Sequence, residues 1–119
     1  MPPRVYIETT IVSYLTARPS RDIILAAHQQ ITDEWWHDRR THFDLYTAQP
    51  VIDEAAEGDA EFARQRLEKL APLPLLDITE EVSILAERLI REGPLPKKAA
   101  VDAVHIATAT VHGMDYLEL

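Results

Sequence analysis

A chain of 119 residues, 46% of them hydrophobic, has the length of one domain and the apolar content for one compact core, burying about two thirds of its unfolded surface. Its 20 acidic and 12 basic side chains leave a net charge of −8, which argues against a broad basic surface for nucleic acid. No cysteine is present, which excludes disulfide frameworks and thiolate metal sites, and without a charged-then-apolar leader or a long apolar run the expectation is a cytoplasmic protein with no membrane segment.

Arg4 to Glu8 reads as a strand, and Thr9 and Thr10 offer hydroxyl caps for a short helix to about Leu15. Past the loop from Arg18 to Arg21, Asp22 begins a long helical pattern that ends near Arg39 and Arg40. Ile23, Ala26, Ala27, Gln30, Ile31 and Trp35 recur in it at three- and four-residue spacing, as the apolar face of an amphipathic helix would. Phe43 to Thr47 is the second strand. Pro50 opens a short helical turn holding Glu54, and Gly58 with Asp59 breaks it before a helix from Ala60 to Leu70. Leu73 to Ile78 is a third strand, kept short by Pro72 and Pro74. Thr79 starts a helix to about Glu92, stopped by the stretch from Gly93 to Pro96. Lys97 to His112 is the last helix, and Met114 to Leu119 the last strand. Strands alternating with helices predict an α/β domain: a parallel sheet flanked by helices on both faces, a three-layer sandwich whose ligand crevice lies beyond the carboxyl ends of the strands.

Three carboxylates stand out against this pattern. Glu8 ends the apolar opening strand, Glu54 follows Val51 and Ile52, and Asp102 interrupts the alanine-rich stretch from Ala99 to Ala109. A carboxylate in so apolar a setting is costly unless a partner or a cation meets it. Other α/β chemistries lack their parts. Gly58, Gly93 and Gly113 are the only glycines, so neither a G-x-G-x-x-G turn nor a phosphate-cradling P-loop can be built. There is no G-x-S-x-G elbow and no cysteine nucleophile. A receiver-type site would want adjacent acids where Thr9 and Thr10 stand, and a phosphatase would want a nucleophilic Asp where Glu8 stands.

The segments Val5 to Leu15, Val51 to Ala55 and Ala99 to Ala109 resemble, in order and spacing, the three acidic motifs of PIN domains, in particular VapC-like toxins. The resemblance spans nearly the whole chain. It implies a single PIN-like domain over residues 1–119 that acts as a metal-dependent endoribonuclease on RNA, the toxin of a toxin–antitoxin pair. Carried over, Glu8, Glu54 and Asp102 are the catalytic, metal-holding acids for Mg²⁺ or Mn²⁺, and Thr10 is the hydroxyl residue that orients the first of them. The implied partners are RNA, a cognate antitoxin and a second copy in a homodimer. The chain departs from the pattern at Glu8, where Asp is commoner and the arm one methylene shorter. The pattern also continues past the last strand into a segment with a fourth acid or Asn, whereas this chain stops at Leu119. A missing fourth ligand would impair activity.

Several residues carry two readings. Glu8 could simply cap the helix after it, and Glu54, among Asp53, Glu57, Asp59 and Glu61, could belong to a solvated acidic face. His105, one turn after Asp102, either supports the acids or is a satisfied core histidine. Lys97, Lys98, Arg18 and Arg21 could contact RNA phosphates or solvent alone. Trp35 and Trp36 could stack on bases or fill a core or dimer contact. His28, His37 and His42 have no metal-ligand spacing and read as surface residues. The alternative to an enzyme is a catalytically weak or inactive PIN-like interaction module.

Overall fold

A computed structural model describes residues 2–93 and 99–118 of the chain. Among these residues four strands, β1 (Arg4–Ile7), β2 (Asp44–Ala48), β3 (Leu75–Leu76) and β4 (Tyr116–Glu118), lie in the order β3-β2-β1-β4. Every pairing is parallel, with Val5 opposite both Leu45 and Tyr116 and Thr47 opposite Leu75. Among the described residues six α-helices connect them: α1 (Thr9–Thr16), α2 (Ile23–Asp38), α3 (Gln49–Ala55), α4 (Ala60–Leu70), α5 (Glu80–Arg91) and α6 (Ala100–Val111).

The strand order fixes the layers. From β1 through β2 to β3 the chain steps in one direction across the sheet, and from β3 to β4 it steps back past β1. Right-handed crossovers then put α1 to α4 on one face and α5 with α6 on the other. The packing agrees. Ile11, Val12, Trp36, Val51, Ala55 and Leu70 join Val5, Tyr6 and Ile7 of the central strand in one core, while Val82 and Ala86 of α5 meet Ala103 and Ala107 of α6 in a second. The expected parallel α/β sandwich is present. The reversal of direction falls beside β1, and such a switch opens a crevice at the strands' carboxyl ends.

Local chemistry sets most boundaries. Asp22 caps α2 through Ile24 N–H and Leu25 N–H, and Asp59 caps α4 through Glu61 N–H and Phe62 N–H. Gly113, at φ 65°, turns the chain out of α6, where the Arg4 guanidinium donates to the carbonyls of His112 and Gly113. This ties the last helix to the start of the central strand.

Three expectations are corrected. The third strand pairs over two residues only, because Pro74 lacks a ladder donor and the segment sits at the sheet edge. The cap of α1 is Glu8 and not a threonine, since Glu8 Oε1 accepts from Thr10 N–H at 2.8 Å. Most consequentially, Ile23, Ala27, Gln30 and Ile31 do not form the buried face of α2, for all four are exposed and Trp36 is the helix's buried residue. Apolar residues recur on two sides of this helix, and periodicity alone does not say which side meets the sheet. The predicted start of the last helix at Lys97 and the Pro94 to Pro96 stop lie outside the described residues.

Candidate active site

The carboxyl edge of the sheet gathers two of the three predicted acids. Glu8 follows β1 directly and is buried, pinned by its bond to Thr10 N–H. Glu54 lies on α3, which starts where the neighbouring strand β2 ends. Its Oε1 is 2.7 Å from Nε2 of His105, and Nδ1 of that histidine is 2.8 Å from the Tyr6 hydroxyl. His105 is wholly enclosed, so a neutral ring has one consistent arrangement: Nε2–H donates to the Glu54 carboxylate and Nδ1 accepts from the Tyr6 O–H. A phenol in the central strand thus fixes a histidine on α6, which fixes a carboxylate on α3.

Electrostatics bind the group together. Burial pushes the pKa of Glu8 up from the ordinary carboxylate value, and the Glu54 charge adds to the rise, while the Thr10 hydrogen bonds and His105 oppose it. Burial, with the charges of Glu54 and Glu8 behind it, also lifts the Tyr6 phenol well above its ordinary value. Tyr6 therefore remains a donor throughout the physiological range. Two neighbouring carboxylates held partly out of water are a poised negative site.

Asp102 is placed differently. α6 leads down to β4, which runs parallel to β1, so the first turn of α6 lies toward the same carboxyl edge as Glu8 and Glu54. Asp102 stands three residues before His105, on the adjoining turn, yet its side chain is exposed. Among the described residues no group of three or more His, Asp or Glu side chains is arranged to hold a metal ion. The structure brings together Glu8, Glu54 and His105, while Asp102, one turn before His105 on α6, is exposed.

The other candidates separate in the same way. Thr10 N–H donates to Glu8, the Thr10 side chain also favours the Glu8 charge, and the Thr9 hydroxyl is buried without a partner among the described residues. Arg18 lines a groove of about 710 Å³ between the end of α1 and the start of α4, 6.0 Å from the Phe62 ring. Glu8, Glu54 and Asp102 do not line that groove. Arg21 is exposed just before α2, and Lys97 and Lys98 lie outside the described residues. Trp36 is core and Trp35 packs on Phe43 at 5.5 Å, which favours the packing reading for both. Tyr6 was missed from sequence, although a buried tyrosine needs a partner for its hydroxyl and so announces a polar group nearby.

A parallel α/β sheet with paired carboxylates beyond the carboxyl ends of its central strands has its acids where such folds bind ligands. The family model of the PIN domain matches residues 5–118, and the chain belongs to that family. PIN domains are in general nucleases that cut RNA or DNA and typically use divalent metal ions. No curated protein and no solved structure matches the chain. No helix among the described residues is long and apolar enough to cross a membrane.

Proposed function

We propose that this chain is a Mg²⁺- or Mn²⁺-dependent endoribonuclease that hydrolyses RNA phosphodiester bonds in the cytoplasm, the VapC-like toxin of a toxin–antitoxin pair. The observation that carries the reading is the convergence of Glu8 and Glu54 at the ends of adjacent central strands, with Glu54 held by His105. The donor set fits a hard cation, since Mg²⁺ takes one or two carboxylates and keeps several waters. Glu8 and Glu54 would hold the ion, with Asp102 as the third acid. Such an ion supplies charge stabilisation at a phosphoryl oxygen and lowers the pKa of the attacking water.

The chain's own residues do the positioning. Thr10 N–H keeps the longer arm of Glu8 in place, and the relay from Tyr6 through His105 stops Glu54 from swinging away. Arg18, Arg21, Lys97 and Lys98 supply cations for the RNA backbone in an otherwise acidic protein. The paired carboxylates also suit the guanidinium fork of an antitoxin arginine, which would block the site by occupying it.

The test is cleavage of single-stranded RNA by the purified chain. Cutting should require Mn²⁺ or Mg²⁺, stop with EDTA, and be abolished in Glu8→Gln and Asp102→Asn. His105→Asn, which breaks the relay from Tyr6 to Glu54, should lower the rate by about 10–100-fold. Intact RNA at every metal concentration, with tight binding to a partner protein retained, would replace this reading with the interaction module.

A further inference from the structure

At the amino ends of the strands, opposite the acids, β2 is open along one edge. β3 pairs with it only at Leu75 and Leu76, so no strand lies beside the first half of β2 on that side. Successive residues of a parallel strand turn their N–H and C=O to alternate sides. Asp44 N–H bonds to the Pro3 carbonyl on the β1 side and Thr47 N–H to the Pro74 carbonyl on the β3 side, so Leu45 turns its N–H to the open edge, where no backbone acceptor meets it among the described residues. A cavity of about 580 Å³ lies there, with Trp36, Arg40, Phe43, Leu45, Lys69 and Leu73 on its wall. Trp36 is only 2% exposed, and its indole N–H is buried without a hydrogen-bond partner among the described residues. A buried donor left unpaired is rare and asks what acceptor satisfies it. The Arg40 guanidinium lies over the same ring, 5.1 Å from its centre, and Lys69 comes from the last turn of α4. Neither is in an ion pair among the described residues, in a chain with 20 acidic side chains.

We infer that this cavity binds a phosphate monoester with an aromatic body, of the nucleoside monophosphate kind. The phosphoryl group lies between Arg40 and Lys69 and accepts from Trp36 Nε1–H and Leu45 N–H, and the base rests on Phe43 and Leu73. Donors that converge without acceptors call for an anion, and a phosphoryl group takes several charge-assisted bonds at once. Arg40 is exposed, so an anion draws its guanidinium off the ring at little cost and opens the indole to the cavity. The one acid on the wall, Asp44, is exposed and alternates with Leu45 to the opposite face of β2. The volume falls within the range of about 300–1,000 Å³ that takes a small organic ligand, more than a bare phosphate fills. Away from the cations the wall is Phe43, Pro72, Leu73 and Pro74, which suits a flat ring better than the hydroxyls of a sugar alone. This cavity stands apart from the acids and does not depend on the nuclease reading.

Proton–nitrogen NMR of the full chain in EDTA, titrated with AMP, tests the inference. The chain has two tryptophans, and Trp35→Phe assigns their indole signals. The Trp36 indole N–H should move downfield and saturate, as a donor does when it gains an acceptor. Inorganic phosphate and adenosine should each bind about tenfold more weakly or worse, since each leaves part of the wall unused. Arg40→Gln with Lys69→Gln should abolish the shift with unchanged circular dichroism, Lys69→Arg should keep it, and Asp44→Asn should tighten binding. Glu8→Gln with Glu54→Gln should bind AMP as the wild type does. A Trp36 signal that stays in place at millimolar AMP would overturn the inference, as would undiminished binding by Arg40→Gln with Lys69→Gln. Binding lost in Glu8→Gln with Glu54→Gln would move the nucleotide to the acids and overturn it too. Inorganic phosphate matching AMP would do the same, because a bare anion needs none of the apolar wall.

Discussion

Glu8 has two jobs that its own substitutions can separate. Its Oε1 caps α1 by accepting from Thr10 N–H, while its charge sits buried beside Glu54. Glutamine keeps the acceptor and discards the charge, whereas alanine discards both. In metal-free protein at neutral pH, Glu8→Gln should therefore melt above wild type, because it relieves the burial of one of two like charges. Glu8→Ala should be less stable than Glu8→Gln by about 1 kcal/mol, the usual worth of a helix cap. Thermal melts of the three proteins in EDTA check the order. A glutamine variant that melts below wild type would mean that the Glu8 charge is already compensated.

At the scale of elements, the helix whose signals are local was the one most legible in sequence. α4 spans Ala60–Leu70 as its flanking Gly58 and Asp59 indicate, since a cap and a break act within a few residues. α2 was legible in its extent but not in its orientation, because Ile23 and Ile31 repeat as regularly on the outer side as core residues would. The site divides along the same line. Glu8 and Glu54 could be seen as acids near strand ends, but the relay that holds Glu54 could not, since Tyr6 and His105 are 99 residues apart and His105 and Glu54 are 51 apart. Nothing local marks such partners. α4 also carries a pH signature of its own. Glu61 accepts from Arg64 and Gln65, which hold its carboxyl down to about 2, and Arg64 also reaches Glu68. A carboxyl depressed on folding supports the folded state above its unfolded pKa of about 4.3, and that support fades as pH falls from there toward 2. The group is fully exposed, so salt screens the effect. Carboxyl NMR should place the Glu61 midpoint near 2 in dilute buffer, rising toward the ordinary value at high salt and in Arg64→Ala. A midpoint near 4 in dilute buffer would show that the pair does not persist in solution.

For the whole molecule, the central question is whether folding and cation binding are linked. The acids draw on all parts of the fold: Glu8 hangs from the central strand, Glu54 from a helix on one face, and Asp102 from a helix on the other. An unfolded chain cannot assemble them, so an ion that meets them binds the folded state alone and stabilises it by mass action. At a hundredfold excess over the dissociation constant the gain is about 2.7 kcal/mol, or roughly 10 °C in melting temperature for a domain of this size. Mn²⁺ should therefore raise the melting temperature progressively. Glu8→Gln should lose most of that rise, since it empties the buried half of the pair. Asp102→Asn should lose a smaller part, because an exposed carboxylate surrenders hydration to reach the ion and contributes less net attraction than a buried one already stripped of water. A flat response of the wild-type chain to manganese would count against cation binding at these acids. An equal rise in wild type and Glu8→Gln would place any bound cation elsewhere on the surface.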